Sequence, residues 1–197
     1  MNAATRPRAA TDTRTRMIVG AAKVISTDGV DAMSLRDLAE KAGVPFGSTY
    51  HHFPGGKAEL VDEAVRYVGA VVTELIEEAR TRGTSHVLQV FADRWRRVLV
   101  SSNYSAGCAV AAAAVASDPR HRAVAQEVFA DWHRSMTSAL RDAGVPPKRA
   151  GRLAHTLVAA TEGGVALARA SGSSEPLDEV VDELAALIRS ASRPHAG

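Results

Sequence analysis

Residues 33–53 run Met33-Ser34-Leu35-Arg36-Asp37-Leu38-Ala39-Glu40-Lys41-Ala42-Gly43-Val44-Pro45-Phe46-Gly47-Ser48-Thr49-Tyr50-His51-His52-Phe53, and this stretch decides the fold. Ser34 followed three residues later by Asp37 is an acidic variant of the capping box, so a short helix starts at Ser34. Leu35, Leu38, Ala39 and Ala42 form its buried stripe. Gly43 takes a positive φ without a side-chain clash and turns the chain, and Val44 anchors the turn in the core. Pro45 suits the first turn of a second short helix, which ends before the punctuation Phe53-Pro54-Gly55-Gly56. Two short helices joined by Ala42-Gly43-Val44 make a helix-turn-helix unit. Gly47, Ser48, Thr49, Tyr50, His51 and His52 are read as the outward face of its second helix. Such a face suits a helix that enters a DNA groove. Gly47 permits close approach, and hydroxyls bond base edges or phosphates. The Thr49 methyl can meet a thymine methyl, and Tyr50 and His51 reach phosphates. The same pattern also fits a structural helical hairpin with a polar outer side.

Outward from this unit, apolar spacing is helical throughout and no stretch alternates with the period of a strand. The first helix is expected from about Asp12 to Thr27, carrying Ile18, Ala21, Ala22 and Ile25 and stopped by Gly29. After the helix-turn-helix unit come helices at about Lys57–Arg82, Ser85–Ser101, Cys108–Ala116, Pro119–Ala143, Pro147–Ser171 and Leu177–Ser190, with polar tails at 1–10 and 191–197. The long helix from Lys57 aligns Leu60, Ala64, Val68, Val71 and Leu75. The helix from Pro147 has Leu153 and Leu157 on one side and Ala154, Val158, Val165 and Ala168 on another, so it needs cover on two sides. The fold class is therefore all-α.

The chain has 197 residues, 46% hydrophobic and 5% aromatic, with a net charge of +2. That length buries a real core, and the composition excludes a disordered or collagen-like chain. A single cysteine, Cys108, excludes a disulfide framework. No apolar run approaches the roughly 18 residues of a membrane span, and no signal-peptide pattern is seen, so a cytoplasmic protein without a membrane partner is expected. The charge is unevenly placed: residues 1–57 carry eight Lys or Arg against five acids, a net +3, and the remainder carries −1. That excess is either a solvated basic tail or the mark of a nucleic-acid surface.

The combination Thr27-Asp28-Gly29, Met33 to Val44, Gly47 to Phe53 and Lys57-Ala58-Glu59-Leu60 resembles the signature of the tetracycline-repressor (TetR) family of transcription regulators. The forms Phe53-Pro54-Gly55-Gly56-Lys57 and Ser105-Ala106-Gly107-Cys108-Ala109-Val110 are similar to the subgroup typified by the LmrA and YxaF repressors. The subgroup's usual cysteine-proline pair is Cys108-Ala109 here. The resemblance implies an N-terminal helix-turn-helix domain (1–55) and a C-terminal effector-binding and dimerisation domain (56–197). It implies a homodimer that binds a double-stranded DNA operator and answers to a small-molecule effector. Pro45, Gly47, Ser48 and Thr49 would face the major groove, Tyr50, His51 and Lys57 would meet phosphates, and Ser34 and Arg36 would lie near the DNA backbone, helped by the helix dipole.

Lys57 after two glycines invites a phosphate-binding loop, but positions 51 and 58 are His and Ala, so the spacing fails. His51 and His52 point to different helix faces, and neither metal nor cofactor is expected. Cys108 is a small buried hydrophobe or a redox sensor. Phe91, Trp95, Tyr104, Phe129, Trp132 and Met136 are plain core, or, with Cys108, walls of a cavity for an apolar or aromatic effector. His133 and His155 could anchor its polar groups. The family resemblance puts Leu157, Glu162, Gly163, Gly164, Leu184 and Ile188 at a dimer interface built as a four-helix bundle. The alternatives of another class are a small helical enzyme, which lacks converging catalytic groups here, and a protein-binding adaptor.

Overall fold

The computed structural model describes residues 6–41 and 43–192, with side chains from Thr13 onward except that of Lys41. Ala42 of the expected turn, the side chains of Arg6 and Arg8, and residues 1–5 and 193–197 of the tails lie outside the described residues. Within the described residues there are nine helices and no strand: α1 (Arg6–Asp28), α2 (Leu35–Lys41), α3 (Phe46–His52), α4 (Gly56–Arg80), α5 (Thr84–Ser101), α6 (Ala109–Ala114), α7 (Pro119–Asp142), α8 (Pro147–Ser171) and α9 (Glu175–Ala191). None is long and apolar enough to cross a membrane. The expected start of α1 is corrected from Asp12 to Arg6, because nothing between them breaks a helix and Pro7 is tolerated in a first turn. The short apolar helix is trimmed to Ala109–Ala114.

The chain divides into two compact units, residues 1–68 with 109–126, and residues 69–108 with 127–197, so the division falls inside α4 and α7. The first unit buries Met17, Ala21 and Ile25 of α1, Leu38 and Ala39 of α2, Phe53, Leu60, Val61 and Ala64, and Val110 and Ala113 of α6. The second buries Val72, Ile76, Leu88, Phe91, Trp95, Trp132, Met136, Leu140, Leu157 and Leu184. On α4 the buried line runs through Val68, Val72, Ile76 and Ala79, leaving Val71 and Leu75 half-buried rather than on the core side as expected.

In the second unit α8 lies along α9 and both touch α5. The buried face of α8 is one stripe, Ala150, Leu153, Ala154, Leu157, Thr161, Gly164, Val165 and Ala168, not two. The close approach of α4 and α7 depends on Gly69: a Cβ there would sit 2.6 Å from Val128 Cγ1. Trp132 Nε1 donates to the Gly69 carbonyl at 3.1 Å across the same gap. Gly69→Ala is therefore expected to destabilise the chain by about 1–3 kcal/mol through overpacking, measured as a lower urea midpoint; an unchanged midpoint would show that the contact yields freely.

Candidate nucleic-acid interface

The helix-turn-helix geometry follows from a few local bonds. Ser34 Oγ accepts the Asp37 N–H at 3.4 Å and caps α2. At the other end Gly43 has φ +65°, the Gly43 N–H donates to the Glu40 carbonyl at 3.0 Å, and the Val44 N–H donates to the Ala39 carbonyl at 2.9 Å. That pair of bonds is a Schellman stop. Pro45 is extended, with φ −60° and ψ 134°, and launches α3. Phe53 closes the helix with its N–H on the Thr49 carbonyl at 2.8 Å, and its ring is fully buried. The Arg14 guanidinium lies 5.0 Å from the centroid of that ring and pairs with Glu63. This basic residue therefore serves the unit's own packing.

The outward face of α3 consists of Pro45, Phe46, Gly47, Tyr50 and His51. Arg36 is exposed and holds its guanidinium 5.3 Å from the Phe46 centroid. Phe46 and Tyr50 meet edge to face at 5.8 Å. A Cβ at Gly47 would find no atom within 4 Å. Gly47 has neither a left-handed φ nor a crowding neighbour, so the fold does not require glycine there. Lys57 is half-buried, and its Nζ donates to the Asp31 carbonyl at 3.1 Å.

Two readings of this helix are corrected. Thr49 does not face outward: it is fully buried, and its hydroxyl donates to the Phe46 carbonyl at 2.6 Å. It sits one turn before Phe53 on the packed side, so its polar group is consumed within the helix. Ser48 and His52 are only half-exposed. Conversely, sequence reasoning passed over Phe46. Its spacing of three from Thr49 and seven from Phe53 reads as the packed side, and its exposure comes from its place as the first residue of α3.

A second polar cluster in the same unit was also missed. Asp62 is buried and accepts from Arg120 Nε at 2.5 Å and from His121 Nδ1 at 2.7 Å. Ser117 Oγ donates to Asp31 Oδ2 at 2.8 Å. The start of α7 and the loop before it are thereby tied to α4 and to the turn between α1 and α2, beside the carbonyl that holds Lys57.

In the second unit, Phe91, Trp95, Phe129 and Trp132 do come together, with edge-to-face contacts at centroid separations of 5.5 to 6.4 Å. Phe91, Trp95, Trp132 and Met136 are buried, and Tyr104 is half-buried with φ +61°. Two surface grooves, of about 790 Å³ along α1 and about 360 Å³ between α4 and α5, are lined by none of these residues. His133 donates through Nε2 to the Gly151 carbonyl at 2.9 Å when that nitrogen carries the proton, and its ring stacks on His155 at 3.9 Å.

The interface residues are redistributed. Leu157, Leu184 and Ile188 are buried within the chain. Gly164 serves α9, since a Cβ there would lie 3.1 Å from Leu177 Cδ1. Glu162 points inward: its Oε1 is buried without a hydrogen-bond partner. Burial pushes its pKa up to about 7, partly opposed by a hydrogen bond with buried Cys108. Of the six, Gly163 is exposed, and a Cβ there would meet nothing. The side of α8 that faces outward carries Ala159, Gly163, Ala166, Leu167 and Ala170.

Comparison with known proteins agrees with this architecture. Residues 17–64 match the model of bacterial regulatory proteins of the tetR family. Residues 84–183 match the C-terminal domain of LmrA/YxaF-like transcriptional regulators. An uncharacterized HTH-type transcriptional regulator of Mycobacterium tuberculosis is 37% identical over 183 residues, covering 89% of this chain and 93% of the relative. The uncharacterized HTH-type regulator YxaF of Bacillus subtilis is 28% identical over 184 residues, covering 90% and 96%. The HTH-type transcriptional repressor KstR2 of Rhodococcus jostii is 42% identical over 53 residues, 27% of this chain and 26% of the relative. Among solved structures, a TetR transcriptional regulator from Legionella pneumophila superposes with a TM-score of 0.79 at 20% identity, covering 95% of this chain and 99% of that one.

Glu162 makes stability depend on pH. Between its ordinary value of 4.5 and about 7, the folded chain holds a proton that the unfolded chain has released. Its contribution to stability therefore falls as pH rises through that window, by up to about 3 kcal/mol. Urea melts of Glu162→Gln are expected to lose that part of the decline between pH 5 and 8; identical slopes for the two proteins would contradict the assignment.

Proposed function

The chain belongs to the tetR family of DNA-binding transcriptional regulators, with a C-terminal domain of the LmrA/YxaF-like kind, and we propose that it is a homodimeric repressor released from a palindromic operator by a small apolar or aromatic effector. Its relatives are regulators rather than enzymes. The observation that carries the DNA-reading role is Gly47: a helical glycine that the fold does not need, flanked by exposed Phe46 and Tyr50. Close approach by a duplex gives that residue its purpose. In this reading Pro45, Gly47 and Ser48 lie in the major groove. Tyr50, His51, Lys57 and Arg36 meet phosphates, and Ser34 keeps the end of α2 close to the backbone. In this reading the functional division falls at 55/56, with Lys57 at the start of α4 completing the reader's phosphate contacts and the effector and dimer functions further along.

For the dimer, the outward small-residue side of α8 with Leu167, which is 58% exposed, offers the surface that a partner would cover. Gly163 repeats the logic of Gly47, a helical glycine with open space around it. Effector binding is supported by buried polar atoms of the second unit that have no hydrogen-bond partner: Trp95 Nε1, Thr137 Oγ1, Thr161 Oγ1 and Glu162 Oε1. Such groups cost free energy until something bonds them. To release DNA, the effector must bind a non-binding conformation better than the DNA-competent one. The repressor role is supported by the repressor KstR2, to which 53 residues of this chain are similar.

Two measurements test this reading. Binding to DNA from the protein's own promoter is expected to weaken steeply with salt as counterions are released, and Tyr50→Ala is expected to weaken it further without changing the oligomer. Salt-independent binding, or a Tyr50→Ala protein that binds normally, would defeat the contact set. In sedimentation, Leu167→Glu is expected to shift a dimer to monomer; a dimer that persists would remove α8 from the interface.

A further inference from the structure

We propose that Phe46 is a specificity determinant that reads one thymine in each operator half-site, packing its exposed ring against the base's C5-methyl group. The proposal rests on the DNA-binding role given above. Phe46 opens α3 and is 39% exposed, although an aromatic ring gains most by burial. It is not loose on the surface. Tyr50 meets it edge to face, and Arg36 covers it with a guanidinium at 5.3 Å, which fixes where the uncovered part of the ring points.

The neighbours determine what that ring can recognise. Pro45 before it has no N–H to offer, and Gly47 after it has no side chain and open space around it. Thr49, a hydroxyl of the kind that bonds bases, is buried and donates to the Phe46 carbonyl. The side chains at positions 45 to 47 thus present apolar surface, with Ser48 the next hydroxyl along the helix. In the major groove, the one apolar feature among the base edges is the C5-methyl of thymine. Arg36, above the ring, can hold an adjacent phosphate and keep the ring in register.

The experiment uses the full chain. A consensus duplex is selected from a random library, then remade with deoxyuridine replacing one thymine at a time, which removes only the methyl group. One thymine per half-site is expected at which uracil weakens binding about fourfold, the value of one buried methyl group. The penalty is expected to vanish in Phe46→Ala and to persist in Phe46→Leu, which keeps an apolar contact. A flat uracil scan, or a full penalty retained in Phe46→Ala, overturns the proposal while leaving DNA binding intact. A chain that selects no sequence overturns the DNA-binding role, and this inference with it.

Discussion

The burial of Phe53 at the end of α3 is the constraint on which the rest of the reading head depends. A helix of seven residues has barely two turns, and its own hydrogen bonds fix its orientation weakly. Phe53 fills the core of the first unit, and Thr49, one turn earlier, is buried on the same side. Once those two positions face inward, the pitch of the helix leaves Gly47 and Tyr50 facing outward, while Phe46 stays partly uncovered because it is the first residue of the helix. The outer surface is thus chosen from within, by a ring that touches no ligand. Arg14 and Glu63 strengthen the same anchor, at the cost of a positive charge that the composition had assigned to the outside.

Much of this was legible in the sequence because helix ends are written in local chemistry. Ser34, Gly43, Pro45 and the Phe53-Pro54-Gly55-Gly56 run each act over three or four residues, and each does in the structure what its type predicts. Thr49 was misread because polarity suggests exposure, whereas a helical threonine can satisfy its hydroxyl on a carbonyl one turn back. Leu157, Leu184 and Ile188 show a different limit. Periodicity identifies an apolar face, but it does not say whether that face meets the same chain or another molecule. Phe46 escaped notice because an exposed aromatic has no periodic signature of its own.

The second unit shows how interior chemistry can stay hidden in a pattern that reads as plain core. Glu162 lies within a long helix rich in small and apolar residues, and only the fold reveals that its carboxyl group turns inward beside Cys108. The loop that delivers Cys108 carries two successive left-handed residues, Asn103 and Tyr104, neither a glycine. Such backbone is unfavourable for residues with side chains and persists where surrounding contacts hold it. Here Arg169 bonds the Ser105 carbonyl at 2.7 Å, and Gly107 leaves room for the same arginine. The strained loop thus leads to Cys108, which hydrogen-bonds a buried carboxyl group whose Oε1 has no partner.

Asp31 serves two neighbours with two different parts of itself. Its backbone carbonyl takes Lys57 Nζ, and its carboxylate takes the Ser117 hydroxyl. Any amino acid at position 31 that keeps the backbone path preserves the first bond, whereas only a side chain with a suitably placed acceptor preserves the second. The two attachments are therefore separable by genetics: substitution at 31 can cut the tie to the loop before α7 while leaving the tie to Lys57 whole. Drift at this codon would loosen one joint of the unit and spare the other.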